Sequence, residues 1–239
     1  MREPVVFIPG MMADARAFGP QIADLSRDFA VMCIPPTRGE RIEEIASGML
    51  DLLPKRCALV GHGMGGMVAM EIARRAPDRV SRLCLMDTSP LADTPQQAAE
   101  RDPRMVKAKT GKLRAVLEQE LPMEALAPGP YRADILALAR DMADVLGLEI
   151  YLRQSRALQR RRDQQGTLRK IAVPVLILCG ALDRIYEVKR HVFMADLIPG
   201  ARLDVIDGAG HLPALEAPEA VADALRDWLA RPLMLRGAL

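Results

Sequence analysis

The sequence predicts an α/β fold, a mostly parallel sheet flanked by helices with one helical insertion between two strands. Three observations predict it. Short β-rich runs alternate with stretches whose apolar residues recur at three- and four-residue steps. The strand runs are continuously apolar rather than alternating, the mark of strands covered on both faces. The rhythm breaks once, between Asp87 and Ile171, where no strand run is found and the composition turns helical.

The elements follow in order. VVFI (5–8) is the first strand, ended by Pro9-Gly10. Phe18, Ile22 and Leu25 give helical spacing over 15–27, and FAVMCI (29–34) is a second strand stopped by Pro35-Pro36. Ile42, Ile45, Met49 and Leu53 make 40–53 an amphipathic helix. CALV (57–60) is the third strand and leads through a glycine turn into a helix reaching Arg75. RLCLMD (82–87), VPVLILCG (173–180) and ARLDVID (201–207) are the last three strands, and 214–230 is the final helix. Between them, 88–170 is rich in Ala, Leu, Arg, Glu and Gln and is broken by Pro103, Pro122, Pro128 and Pro130.

Composition narrows the function. The 239 residues are half apolar, enough for one sizeable core. A formal net charge of +2 gives no argument for nucleic acid. The local run Arg160-Arg161-Arg162 reads as a solvated helix face. No stretch approaches the roughly 18 apolar residues of a membrane span, and the N-terminus does not look like a signal peptide. Cys33, Cys57, Cys84 and Cys179 lie far apart in or beside apolar runs. They read as small buried hydrophobes in a reducing cytoplasm, with neither zinc spacing nor a disulfide framework. No metal or cofactor is expected. Oligomeric state is not legible.

The glycine turn admits two readings. Gly61, Gly63 and Gly66 spell the G-x-G-x-x-G of a dinucleotide-binding turn, with Asp87 at the end of the next strand where a ribose-binding acid would stand. Against an NAD-dependent oxidoreductase, this turn follows the third strand rather than the first, and His62 is bulky for it. The same residues, Gly61-His62-Gly63-Met64-Gly65, spell the G-x-S-x-G nucleophile elbow with glycine at its centre. An elbow must be followed by an acid and then a histidine, each in a loop after a late strand. LILCGALD supplies Asp183 and VIDGAGHLPALEAP supplies His211. Asp87 is the weaker substitute for the acid. Of the other histidines, His191 reads as a surface residue beside Lys189 and Arg190, and His62 as locked in the elbow.

Taken together, FIPGMMADARAF, LVGHGMGGMVAMEIARRAPDRVSRLCLMDT, LCGALDRI and GAGHLPALEAPEAV resemble the oxyanion loop, elbow, acid loop and histidine loop of the α/β-hydrolase family. The resemblance spans nearly the whole chain and is nearest to small lid-bearing esterases and lactonases. It implies an α/β-hydrolase fold shortened at the N-terminus, with a core of residues 1–87 and 171–239 and a helical lid over 88–170. It implies that Met11 and Met64 offer backbone N–H groups to an oxyanion. Met12 and His62 would line the substrate pocket of a small ester or lactone, with no nucleic acid or membrane partner.

The departure from the family is Gly63, which has no side chain to attack a carbonyl. Three accounts follow: an engineered substitution, a natural pseudo-hydrolase that binds a small hydrophobic ligand, or a hydrolase in which His211 activates water directly. The intact acid and histidine motifs favour the first. Met105, Met123, Met142, Leu136, Leu138, Leu146 and Leu148 are candidates for an apolar lining. Arg153 or Arg156 could meet a substrate carboxylate.

Overall fold

A computed structural model describes residues 3–233. Six strands form one parallel sheet: β1 (Val5–Ile8), β2 (Val31–Cys33), β3 (Cys57–His62), β4 (Val80–Met86), β5 (Val175–Gly180) and β6 (Arg202–Ile206), in the order β2-β1-β3-β4-β5-β6. The four central strands are buried throughout, which is why they read as unbroken apolar runs. The edges differ. On β2, Cys33 is only half-buried, because an edge strand has a neighbour on one side alone. The other three cysteines are buried, and all four are free thiols.

Ten helices accompany the sheet among the described residues: α1 (Gly19–Leu25), α2 (Ile42–Leu50), α3 (Met64–Arg75), α4 (Pro95–Lys107), α5 (Leu113–Glu120), α6 (Arg132–Gln159), α7 (Gln165–Leu168), α8 (Val188–Leu197), α9 (Pro213–Glu216) and α10 (Pro218–Ala230). The strand period of two splits the core. Val6, Ile8 and Leu59 face Met49, Ile72 and Met194 of α2, α3 and α8. Val5, Phe7, Ala58 and Val60 face Phe18, Leu25, Leu225 and Trp228 on the α1 and α10 side. The expected final helix is two, because Pro218 starts a new helix at a position that needs no donor.

Between β4 and β5 the described chain is helical and carries no strand. Thr94 caps α4 through a reciprocal box with Gln97. This segment buries Met105, Val116, Tyr151 and Leu152 against Met12, and Leu126, Ile135 and Leu136 against Leu212. It is therefore fastened to the loops after β1 and β6.

The chain steps outward from β1 to β2 and returns to β3 on the other side, so the sheet changes direction between β1 and β3. Crevices in such sheets open at the carboxyl ends of the strands flanking that point. Here α3 can start hard against the sheet only because its first turn is glycine. A Cβ on Gly65 would lie 1.9 Å from the Ile8 carbonyl oxygen, and one on Gly61 would lie 2.5 Å from the Gly65 oxygen. Gly65→Ala should therefore destabilise by about 3 kcal/mol or more, lowering the melting temperature by about 6–12 °C. Exposed Gly48 in α2, whose Cβ would meet nothing within 4 Å, is the control. Gly48→Ala should raise the melting temperature slightly.

Candidate active site

Gly63 sits between β3 and α3 with φ 53° and ψ −118°, a conformation that strains any residue with a Cβ. Its backbone is pinned. The N–H donates to Met86 O at 3.0 Å, and its carbonyl accepts from Thr88 Oγ1 at 2.6 Å. A Cβ placed there would meet only Gly10 Cα at 3.7 Å and Asp87 O at 3.9 Å, ordinary contacts that leave room for a side chain. The glycines of the G-x-G-x-x-G pattern thus answer to packing: Gly66 leaves its space to the Thr88 side chain, 2.7 Å from where its Cβ would stand.

The loops after β5 and β6 bring Asp183 and His211 together. His211 Nδ1 lies 3.0 Å from Asp183 Oδ2, with both residues buried. Asp183 Oδ1 accepts from the Ile185 and Tyr186 N–H groups at 2.7 and 3.2 Å, which fixes the carboxylate. Burial alone would raise its pKa. The His211 charge and hydrogen bonds from His211, Asp87 and Ile185 outweigh that and hold it below the usual carboxylate value.

Asp87, the alternative acid, does not receive the His211 hydrogen bond. It is fully buried with φ 41°, and its Oδ1 accepts the Gly180 N–H at 3.0 Å. Its Oδ2 is buried without a donor among the described residues. Burial, and then the Asp183 charge, push its pKa well above the usual range, which favours its protonated form and a hydrogen bond to Asp183. Asp87, Asp183 and His211 are also the group among the described residues whose ligand atoms, all within 4.8 Å of one another, could hold a metal ion. The atoms are instead turned on each other and on nearby N–H groups.

Opposite them, the N–H groups of Met11 and Met64 have no acceptor among the described residues. Met12 has a left-handed backbone, φ 53°, held by its N–H donating to Gln154 Oε1 at 2.8 Å. Gln154 is fully buried in α6 and also donates to Pro36 O, so one side chain ties α6 to two loops. Sequence reading missed it, since a lone glutamine inside a helix carries no pattern. Glu216 was missed too: its oxygens accept from the N–H groups of Gly210, Leu212 and Ala127 and shape the histidine loop.

Gly63, Met11, Met12, His62, Met64 and His211 line one cavity of about 180 Å³. Leu136 and Met142 join its wall, whereas Met123 faces solvent. Arg153 is exposed and Arg156 pairs with Glu40, so neither forms part of that wall. The arginine run is only partly solvated: Arg161 is buried against Asp93, because its helix end turns under the loop after β4.

His62 donates Nε2–H to the His211 carbonyl at 2.8 Å, and its ring stands 4.9 Å from the His211 ring. Burial, aided by the His211 charge, pushes its pKa down to about 3. His191 is not a surface residue. It is fully buried, and its Nε2 accepts the Thr88 N–H at 3.2 Å. Its charged neighbours misled because they sit on other faces of α8, while His191 and Met194 share the inner one. Burial takes its pKa down to about 4.

The profile of the alpha/beta hydrolase family matches residues 5–224, and the chain belongs to that family. It is 30% identical over 211 residues to a pimeloyl-[acyl-carrier protein] methyl ester esterase of Aromatoleum aromaticum, a match covering 80% of this chain and 81% of that protein. The namesake of Neisseria meningitidis serogroup B (strain MC58) is 30% identical over 202 residues, covering 82% and 77%. The enol-lactonase of Burkholderia xenovorans superposes with a TM-score of 0.86 at 25% identity, over 97% of this chain and 92% of that one. A thermophilic esterase of Thermogutta terrifontis gives 0.85 at 26% identity, over 95% and 89%. No helix among the described residues is long and apolar enough to cross a membrane.

Two pH effects follow. Unfolded histidine binds its proton near pH 6.5, but folded His62 and His191 resist until about 3 and 4, so they remove stability as pH falls from 6.5 towards 4. His191→Gln, which keeps an acceptor for Thr88, should flatten that fall by up to about 3 kcal/mol. Asp87 acts oppositely. Its raised pKa stabilises the fold at low pH, and that contribution is lost as pH rises. Asp87→Asn should therefore raise the melting temperature at pH 8, with the gain shrinking towards pH 4. Thermal denaturation across pH 4–8 reads both.

Proposed function

We propose that this chain is the scaffold of a carboxylic-ester or lactone hydrolase of the Ser-His-Asp type, with its nucleophile missing at Gly63. The observation that supports this most is the buried Asp183–His211 hydrogen bond beside a bare elbow and two unpartnered N–H groups. In such a site His211 is the general base, Asp183 holds its tautomer and offsets the imidazolium charge, and Met11 and Met64 N–H bind the oxyanion. Met12 and His62 shape the acyl pocket, and residues 88–170 form a lid over it. The named relatives are methyl ester esterases and an enol-lactonase, which supports a methyl ester or a lactone as substrate. Four free thiols fit the reducing cytoplasm.

As it stands the chain is nearly inactive, because glycine can form no acyl-enzyme. Water activated by His211 remains as a slow route. A pseudo-hydrolase that binds a small apolar ligand under the lid is the second reading, favoured by Gly63 itself.

Restoring the hydroxyl separates them. Gly63→Ser should raise hydrolysis of p-nitrophenyl butyrate by about 10³-fold or more over the Gly63 chain, and His211→Ala in that background should remove the gain. The new Cβ costs about 1–3 kcal/mol of backbone strain, so the melting temperature should fall by a few degrees. Failure of Gly63→Ser to hydrolyse any activated ester or lactone would refute the hydrolase reading.

A further inference from the structure

His211 keeps one ring nitrogen free of the acid. Its Nδ1 is held by Asp183 at 3.0 Å, so Nε2 is the other, and it makes no hydrogen bond among the described residues. The side chain is 11% exposed and stands on the cavity wall with Gly63, Met11 and Met64. In a serine elbow, a hydroxyl would receive this nitrogen. The other bases of that wall are weaker or engaged. His62 gives its Nε2–H to the His211 carbonyl, and burial takes its pKa down to about 3. Glu118 and Glu120 pair with Arg140 and Arg104.

Glycine at the elbow removes the nucleophile and nothing else. A base remains, with two N–H groups that have no acceptor among the described residues and an apolar wall that includes Leu136, Ala139 and Met142. Proton abstraction beside a carbonyl needs those same parts: the base takes the proton, and the donors hold the enolate oxygen. Hydrolysis by water requires a third body aligned in the site. A C–H next to the bound carbonyl is already part of the substrate, so binding alone brings it to the base.

We propose that the chain with Gly63 is a carbon-acid catalyst: it enolises a small apolar carbonyl compound whose α-carbon lies over Gly63, with His211 as the catalytic base. The α-C–H bond breaks and its proton passes to Nε2. The electron pair left behind forms the C=C bond, and the carbonyl π pair moves onto the oxygen, held by the Met11 and Met64 N–H groups. Asp183 offsets the imidazolium charge. The imidazolium then returns a proton to the same carbon, which exchanges it, or to the far end of a conjugated system, which shifts a double bond. The step is redox-neutral and needs no co-reactant. The roles of His211 and of the two N–H groups rest on the hydrolase reading, whereas ester cleavage is not required.

Phenylacetone tests this, because it carries an acidic methylene beside its carbonyl and has no ester bond. In heavy water at neutral pH, proton NMR should show the Gly63 chain speeding loss of the methylene signal by about 10²-fold or more over buffer. His211→Ala should return the rate to that of buffer. Gly63→Ser should slow exchange too, because its hydroxyl would take both the Nε2 hydrogen bond and the space over the elbow. No acceleration by the Gly63 chain, acceleration that survives in His211→Ala, or undiminished exchange by Gly63→Ser would overturn the proposal. If His211→Ala does not fold, Gly63→Ser decides. Ester hydrolysis by Gly63→Ser is read separately. Exchange by the Gly63 chain without esterase activity in Gly63→Ser would sink the hydrolase reading and leave this activity standing, whereas esterase activity without exchange would do the reverse.

Discussion

The site depends on one close approach, the first turn of α3 pressed against the carboxyl ends of β1 and β3. With the Gly65 Cα so near the Ile8 carbonyl that no Cβ fits, the chain must leave β3, reverse and enter the helix within a few residues. That forces the left-handed backbone at Gly63 and leaves the Met64 N–H at a helix start, where no intrahelical acceptor exists. The same contact sets the loop after β1 beside the elbow, so Met11 and Met64 line the same cavity. Hydrogen bonds from Thr88 Oγ1 to Gly63 O and from Gly63 N–H to Met86 O lock the turn from the β4 side.

A second constraint is electrostatic. Asp87 and Asp183 sit at the ends of neighbouring strands, both buried, and two bare carboxylates there would repel strongly. The conflict is resolved by unequal surroundings. Asp183 has two backbone N–H groups and His211, and Asp87 has one N–H. These surroundings favour a proton on Asp87 over one on Asp183, with Asp183 the carboxylate that faces the imidazole. Around this pair, His62 and His191 are held neutral and serve as fixed donors and acceptors, binding His211 O and the Thr88 N–H.

The features legible in the sequence were those that leave a period or a fixed order. The six strands showed because continuous burial writes continuous apolar runs, and the order elbow, acid, histidine showed because each falls after a strand in a Gly-rich loop. The interior of the helical segment did not show. Whether Arg101, Arg140, Arg153 or Arg156 faces the cavity depends on how α4 and α6 rotate about their own axes, and helical spacing alone does not fix that for charged residues. Lone buried polar groups such as Gln154, Glu216 and His191 were equally hidden. Each acts through hydrogen bonds to backbone groups far along the chain, Met12 and Pro36 for Gln154, Ala127 for Glu216 and Thr88 for His191, and no periodic pattern marks it.

Asp183 and His211 do not bear equally on what the bare elbow means. Asp183 has a structural task apart from any chemistry, since its Oδ1 closes the turn through Ile185 and Tyr186. The His211 backbone has tasks as well: its N–H donates to Ala125 O, and its carbonyl receives His62. A residue of any kind could meet those backbone roles. The imidazole makes its one hydrogen bond among the described residues to Asp183, at the wall of a largely apolar cavity. An apolar side chain there would leave Asp183 Oδ2 buried without its imidazole partner, and breaking a buried pair from one side is destabilising. Folding therefore gives that imidazole one task, partnering Asp183, and proton transfer would give it a second.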